Sequence, residues 1–230
     1  MSAGILKSME ATVTGLVCHD EGVDVVVWSD YLCPWCYVHV PRVRHLEAAH
    51  GASVQWLPYE LHPHIRDGGL RLEVAYGKGD AEVARQTMAR FAAIAEENGQ
   101  PFEPPTRVRP TRKAHTVAVM VGGQAPDRFR EFHDGLFEAI WVNDQPVDET
   151  DWLVEQGSGV GLDADEVRSV LDADGLAPIL AASRDKAHEL GVTGTPATMF
   201  PGGFVLPGLQ DHDVIDPIGG KIAARLAGES

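Results

Sequence analysis

The sequence has few basic residues, few cysteines and no long hydrophobic run. Its 230 residues include 19 Lys and Arg against 34 Asp and Glu, which gives a formal net charge of -15. Because phosphate groups would be repelled by such a surface, we expect neither nucleic acid nor an anionic membrane as a partner. A membrane span needs about 18 or more consecutive apolar residues, and the sequence contains no such stretch.

The first residues also lack the pattern of an export signal. Residues 1–18 carry a single lysine, Lys7, followed by Glu10, and they contain no apolar core of adequate length. We therefore expect no signal peptide and a cytoplasmic protein, in which a disulfide would be catalytic and transient. Residues 1–21 are predicted to form a flexible leader, with Cys18 as a bystander within it.

Two of the three cysteines, Cys33 and Cys36, lie three positions apart in the run Trp28 to Tyr37. A β-branched and aromatic run, Val23 to Trp28, precedes the pair, and a helical pattern follows Pro34. A CxxC sequence at the junction of a strand and a helix is typical of thioredoxin-type redox chemistry.

This placement would favour a negative charge on Cys33. If Cys33 caps the helix, Pro34 occupies the first helical position, where its missing N–H costs nothing. The free N–H groups of Trp35 and Cys36 then point towards the Cys33 sulfur, and the helix macrodipole stabilises a thiolate there. We expect a pKa below about 7 for Cys33 and a value closer to normal for the deeper Cys36.

A zinc site is the chemical alternative for the pair. His39 could join the two thiols, with Cys18 and His19 upstream as further ligands. Structural zinc needs four ligands, and the sequence has no second CxxC pair and no His-x-x-x-His partner. We therefore favour a redox pair and predict no metal there.

The remaining sequence alternates between short strand patterns and a long helical block. Strands are predicted at Val23–Tyr31, Ser53–Leu61, Ala197–Phe200 and Phe204–Leu206. Helices are predicted at Trp35–His50, Ala81–Asn98, Thr111–Val121, Pro126–Trp141, Glu149–Gly157, Asp163–Asp172, Ala177–Leu190 and Asp211–Leu226. The first strands would pair in parallel through a right-handed crossover and the last two as a hairpin, so the half-sheets must meet across a large helical insertion.

The sequence resembles the DsbA-like thioredoxin-fold oxidoreductases, and within them the FrnE-like subgroup related to 2-hydroxychromene-2-carboxylate isomerases. The resemblance covers nearly all of Val23 to Leu226. Five motifs carry it: Ser29–Tyr37, Pro58–Pro63 (with His62 where asparagine is usual), Ala114–His115, Gly191–Ala197 and Gly208–Gln210.

The resemblance implies an α/β, thioredoxin-like fold with a large all-helical insertion. Its discontinuous thioredoxin-like domain would comprise residues 22–79 and 190–230, and the insertion residues 80–189. In such a protein Cys33 is the nucleophile and Cys36 the resolving thiol. The Gly191–Ala197 motif implies a cis-proline loop, in which the Thr195 backbone hydrogen-bonds a substrate strand.

The resemblance also implies the substrate class. We expect a disulfide-containing polypeptide or a small thiol, bound by Pro34, Trp35, Thr195, Pro196, His62 and His115. No cofactor is expected, although glutathione could serve as a co-substrate. A glutathione-dependent isomerase or transferase, related to 2-hydroxychromene-2-carboxylate isomerase, stays open as the alternative function.

The sequence departs from the family pattern in two places. Thioredoxin-like enzymes often bury an acid six positions before the first cysteine, and that position is Val27 here. Proton transfer to Cys36 would then need water or another group, with Asp30, His39, His62 and His115 as the candidates. Pro34-Trp35 also lacks the histidine of strongly oxidising DsbA proteins, so we expect an intermediate redox potential.

Overall fold

The computed structural model describes residues 24–228, and a four-stranded sheet lies at the centre of this part of the chain. The strands are β1 (Val25–Ser29), β2 (Val54–Pro58), β5 (Ala197–Phe200) and β6 (Phe204–Pro207), in the order β2-β1-β5-β6. β1 pairs in parallel with β2 and antiparallel with β5, and β6 completes a hairpin with β5. This mixed sheet joins a parallel half from early in the sequence to an antiparallel half from late in it.

Strand β1 is buried on both faces, which explains its continuous apolar sequence. Val25 and Val27 contact one cluster of buried side chains, whereas Val26 and Trp28 contact the other. The first cluster lies under α1 (Pro34–His50) and α9 (His212–Leu226). The second extends into the helical insertion. Alternate residues of one strand therefore tie the two layers of the molecule together.

Seven helices and a two-stranded ribbon lie between β2 and β5. The helices are α2 (Leu72–Tyr76), α3 (Ala81–Glu97), α4 (Arg112–Gln124), α5 (Pro126–Trp141), α6 (Thr150–Gly159), α7 (Ala164–Asp172) and α8 (Ala177–Glu189). The ribbon pairs β3 (Leu70–Arg71) with β4 (Arg107–Val108). α5 buries Phe132, Phe137, Ile140 and Trp141 in the insertion core. The predicted fold class, a thioredoxin-like sheet with a large helical insertion, is confirmed.

The structure differs from the sequence predictions mainly at the strand ends. β1 stops at Ser29 rather than Tyr31, and β2 stops at Pro58 rather than Leu61. Both strands end early because the Asp30 carboxylate takes hydrogen bonds from the backbone N–H groups of Leu32 and Leu61. Short elements such as α2 and the β3–β4 ribbon were not predicted, since two to five residues show no clear periodicity.

Some predictions fall on residues that the structure does not describe. The leader at residues 1–21, Cys18 and the predicted strand start at Val23 lie outside the described residues. Within residues 24–228, no helix combines the length and apolarity needed to cross a membrane.

Candidate functional site

Cys33 lies at the N-terminus of α1, as the sequence predicted. It is the N-cap residue in an extended conformation, with φ -88° and ψ 114°, and Pro34 follows in the first turn. The backbone N–H of Cys36 donates to the Cys33 carbonyl at 3.0 Å. Pro41 lies inside the helix without ending it. The helix therefore presents its N-terminal end to the Cys33 side chain.

A loop before β5 faces this helix terminus. The peptide bond between Thr195 and Pro196 is cis. The Cys33 thiol donates to the Thr195 carbonyl, with 3.5 Å between Sγ and O. Gly208 donates its N–H to the Pro196 carbonyl at 2.7 Å, which anchors the loop to the end of β6. Because β5 lies beside β1 in the sheet, residues 162 positions apart meet at one thiol.

The two thiols are free and differ in their protonation chemistry. A hydrogen bond from the Cys36 thiol is the main reason that the pKa of Cys33 is lowered. Burial opposes this effect, and the Thr195 side chain and the Cys36 backbone N–H add to it. The pKa of Cys36 is raised well above its ordinary value by burial and by the Cys33 charge. Cys33 is 5% exposed and Cys36 is 0% exposed.

The predicted direction for Cys33 is confirmed, whereas the expectation for Cys36 is wrong. We expected a nearly ordinary Cys36, but its complete burial disfavours the thiolate. The arrangement concentrates negative charge on the outer sulfur and keeps a proton on the inner one. An outer thiolate beside a protonated partner is suited to nucleophilic attack followed by resolution.

Asp30, next to the pair, is a fully buried carboxylate that organises the surrounding loops. It accepts hydrogen bonds from Thr111 Oγ1 at 2.5 Å, His115 Nε2 at 3.2 Å and the Leu61 N–H at 2.7 Å. Burial raises the pKa of Asp30, but the His115 hydrogen bond and charge, together with Thr111 and Leu61, outweigh it and leave the pKa below its ordinary value. Asp30 thus ties the turn before Cys33 to α4 and to the loop after β2.

The histidines proposed for proton transfer occupy different positions. His115 contacts Asp30, and His62 lies in the loop after β2 with its ring 5.4 Å from that of His64. His39 is buried, and its Nε2 lies 3.0 Å from Thr198 Oγ1. Burial, with a further contribution from Arg42, lowers the pKa of His39 to about 3. The structure gathers Cys33, Cys36, Thr195 and Pro196 at one point, and His62 and His115 lie to the side of it.

Pro34 and Trp35, the two residues between the cysteines, differ in accessibility. Pro34 is buried, whereas Trp35 is 42% exposed. The Trp35 ring packs edge-on against Phe91 of α3, with 4.7 Å between centroids. Trp35 therefore offers an apolar surface beside the Cys33 sulfur.

Sequence reasoning missed two residues of this site. The Tyr76 hydroxyl donates to the Leu32 carbonyl at 3.0 Å, which places α2 against the turn before Cys33. The Ser29 side chain lies beside Cys36 and lowers its pKa, against the larger raising effects of burial and of Cys33. A lone tyrosine in a five-residue helix gives no sequence signal. Ser29, four positions before Cys33, lay within a recognised motif but carried no individual pattern.

A cavity of about 510 Å³ lies between β2, α4 and α5, on the insertion side of the sheet. Its walls include Ser29, Tyr31, Trp56, His115, Phe129 and His133. The Tyr31 hydroxyl lies 2.9 Å from His133 Nδ1, and burial holds the pKa of His133 well below its ordinary value. The cavity therefore has mainly apolar walls and no charged imidazole from His133.

The zinc alternative gains no further ligands from the described residues. His39 contacts Thr198, and no cluster of three possible ligands within residues 24–228 includes either Cys33 or Cys36. Cys18 and His19 lie outside the described residues.

Comparison with known proteins gives one family match and several related proteins. The family model described as a DSBA-like thioredoxin domain matches residues 24–217. The Bacillus subtilis protein YwbO is 25% identical over 198 residues, which cover 84% of this chain and 94% of that protein.

Solved structures show the same architecture. A probable DsbA oxidoreductase from Streptomyces coelicolor has a TM-score of 0.74 at 26% identity, with 90% of each chain covered. A 2-hydroxychromene-2-carboxylate isomerase has a TM-score of 0.71 at 18% identity, covering 90% of this chain and 98% of that one. The cytosolic disulfide reductase DsbM from Pseudomonas aeruginosa has a TM-score of 0.60 at 19% identity, covering 89% and 97%.

Proposed function

Because the chain belongs to the DSBA-like thioredoxin domain family, we propose that it catalyses thiol–disulfide exchange, with Cys33 as nucleophile and Cys36 as resolving thiol. The observation that carries the proposal is the asymmetry of the pair. Cys33 lies at a helix N-terminus against the Thr195 carbonyl with a lowered pKa, while the pKa of the buried Cys36 is raised. Such an asymmetry decides which sulfur attacks first.

The reaction then proceeds in two exchanges. The Cys33 thiolate attacks one sulfur of a substrate disulfide, forms a mixed disulfide, and releases the other substrate sulfur as a thiolate. Cys36 loses its proton to that thiolate or to water and attacks Cys33 Sγ. This step closes the Cys33–Cys36 disulfide and releases the second substrate sulfur. Two electrons pass from the dithiol to the substrate, and two molecules of a small thiol return the enzyme to its dithiol form.

Backbone and aromatic groups around Cys33 would hold the substrate. In the dithiol form the Thr195 carbonyl accepts the Cys33 S–H. When Cys33 is a thiolate it no longer donates, so this carbonyl can accept an N–H from a substrate strand beside Pro196. The exposed Trp35 ring, which packs against Phe91, offers an apolar contact, and the neighbouring Pro34 is buried. In this proposal His115 acts through its hydrogen bond to Asp30, and His62 lines a second cavity, which also includes Asp30.

We place the substrate among exposed disulfides of polypeptides or of small thiols such as glutathione. The cytosolic disulfide reductase DsbM, which shares the fold, has also been solved with glutathione. A reducing cytoplasm would supply the thiol that regenerates the dithiol. No bound cofactor is needed for the exchange. Cell fractionation would test the compartment independently of the chemistry.

Cysteine variants test the proposal directly. With insulin or oxidised glutathione as substrate, Cys33→Ser should abolish turnover. Cys36→Ser should accumulate a mixed disulfide on Cys33 that mass spectrometry detects as an added substrate mass. Cys18→Ser removes the third thiol and serves as the matched control, with turnover kept. Equal turnover in wild type and Cys33→Ser would overturn the proposal.

The cavity beside Ser29 favours one alternative, a glutathione-dependent isomerase acting on a small aromatic compound. Its volume of about 510 Å³ and its aromatic walls suit such a ligand. That chemistry needs glutathione bound at Cys33 but does not need a resolving thiol. Isomerisation of a chromene carboxylate that survives Cys36→Ser would therefore favour the alternative. Loss of disulfide turnover in that variant, with no isomerisation, would favour disulfide exchange.

A further inference from the structure

Three side chains that are good metal ligands meet between α1 and α9. They are His45 and His50, near the C-terminal end of α1, and Asp216 in α9. Their ligand atoms all lie within 4.8 Å of one another. Within residues 24–228 this is the one group of three His, Cys, Asp or Glu side chains that approach so closely. The group takes no part in the thiol chemistry, since Cys33 lies at the other end of α1, roughly 18 Å away along the helix axis.

One carboxylate oxygen is shared by the two imidazoles. His45 Nε2 lies 2.7 Å from Asp216 Oδ1, and His50 Nε2 lies 3.6 Å from the same oxygen. In a tetrahedral site with bonds of about 2.0–2.1 Å, ligand atoms lie about 3.4 Å apart. The observed spacing therefore needs only small side-chain rotations to accept an ion.

His50 gives a second and independent observation. Its Nε2 is buried and has no hydrogen-bond partner, because the distance to Asp216 is too long. Its ring lies directly against the backbone of Gly219 in α9, where an added Cβ would come within 2.2 Å of His50 Cδ2. Because Gly219 has no side chain, the His50 ring fits against its backbone, with Nε2 on the side of Asp216. A buried imidazole nitrogen that has no hydrogen bond, and only a 3.6 Å ion-pair contact with Asp216, favours a ligand at this point.

A third imidazole lies at the edge of the group. The His212 ring packs edge-on against His45, with 5.0 Å between centroids, and His212 lies one helical turn before Asp216. Partial exposure of His45 and Asp216, at 37% and 45% of their side chains, leaves a path for an ion from solvent.

We propose that His45, His50 and Asp216 bind a divalent transition-metal ion of the zinc class. Two imidazoles and a carboxylate suit such an ion better than magnesium or calcium, which prefer oxygen ligands. The fourth position falls to His212 after a side-chain rotation, or otherwise to water. The ion would link α1 to α9 and stabilise the packing of these two helices.

The test titrates Zn²⁺ into full-length, tag-free protein in which Cys18, Cys33 and Cys36 are all serine. This background removes the thiols, which would otherwise bind zinc themselves. We expect one ion per chain by calorimetry and a rise in melting temperature with zinc. His64 is exposed and lies on a loop outside both helices, so His64→Gln is the matched control.

In the same background, His45→Gln and His50→Gln should each weaken zinc binding at least tenfold, while His64→Gln leaves it unchanged. Should His50→Gln fold poorly, judged by circular dichroism, the more exposed His45→Gln carries the test. The proposal is overturned if the thiol-free protein binds no zinc at 100 times the protein concentration, or if both variants bind as tightly as the control. Because the thiols are absent throughout, neither result bears on the proposed disulfide exchange.

Discussion

Replacement of Asp30 by asparagine separates the structural effect of this carboxylate from its effect on the neighbouring thiol. Asp30 is fully buried and accepts hydrogen bonds from Thr111, His115, Leu61 and, at 3.3 Å, the Leu32 N–H. Asparagine keeps one acceptor oxygen but turns an NH₂ group towards some of these donors. Hydrogen bonds to a buried charge contribute about 1.5–3 kcal/mol each, and removal of one partner of a buried ion pair costs about 3–5 kcal/mol.

We expect Asp30→Asn to lower the free energy of unfolding by about 3 kcal/mol at pH 7. At about 2–4 °C per kcal/mol for a chain of this size, the melting temperature should fall by roughly 6–12 °C. The Asp30 pKa is lowered on folding, so its contribution is present above about pH 4 and is lost as the pH falls through the folded-state pKa. The difference between wild type and variant should therefore shrink in acid.

The same variant should also change the pKa of Cys33. The Cys36 hydrogen bond lowers the pKa of Cys33 most, and the Asp30 charge opposes that effect. Removal of the charge should lower the Cys33 pKa further, measured as an acid shift in the pH profile of iodoacetamide alkylation. Asp67→Asn, at an exposed position of a nearby loop, is the control. An Asp30→Asn protein of wild-type stability, or one with a higher Cys33 pKa, would refute this reasoning.

Three further changes probe buried polar side chains. His39 stays neutral because burial and Arg42 lower its pKa to about 3, so its contribution to stability is complete above about pH 6.5 and falls away towards pH 3. His39→Gln should therefore reduce the slope of unfolding free energy against pH by about 1.4 kcal/mol per unit in urea titrations between about pH 4 and 6, and an unchanged slope would contradict this. Arg42 donates hydrogen bonds to the Gln210 and Val38 carbonyls and to Asn98 Oδ1. Arg42→Met should therefore lower the free energy of unfolding by about 2–4 kcal/mol, whereas Arg85→Met, the control at an exposed position, should leave the urea midpoint unchanged. Trp141 is fully buried and donates from Nε1 to the Tyr31 carbonyl at 2.9 Å. Trp141→Phe should lower the free energy of unfolding by about 1–3 kcal/mol, measured by thermal unfolding, and an unchanged stability would argue against that hydrogen bond.

Much of the fold was predictable because each long element has a regular pattern. Helices such as Pro126–Trp141 bury one face at helical spacing, and the predicted bounds of that helix agree with the structure. The apolar run of β1 correctly indicated a strand, and the structure shows the reason, since both its faces are buried. Elements of this kind are determined by local periodicity together with burial.

The ends of the strands were not predictable in the same way. Asp30 and Leu61 are 31 positions apart, and a hydrogen bond between them ends the pairing of β1 with β2. Such a contact depends on the tertiary fold and leaves no periodic signal. Tyr76 is a similar case, because its hydroxyl reaches the Leu32 carbonyl from a five-residue helix.

The candidate site was predictable in its motif and less so in its electrostatics. The spacing of Cys33 and Cys36 identified the pair, and Pro34 correctly placed the helix start. The raised pKa of Cys36 was missed because it depends on burial by residues from the insertion and the sheet, on the Cys33 charge, and on no local pattern. The neutral state of His39 has the same origin, since burial is the main cause of its lowered pKa.

The most direct test is the pH dependence of alkylation at each thiol, measured by iodoacetamide labelling and peptide mass spectrometry in a Cys18→Ser protein. We predict that Cys33 reacts first, with a midpoint below the value of about 8.5 for free cysteine. Cys36 should stay unreacted until well above that pH, because burial and the Cys33 charge raise its pKa. A Cys33 midpoint at or above that of free cysteine, or labelling of Cys36 before Cys33, would contradict the account.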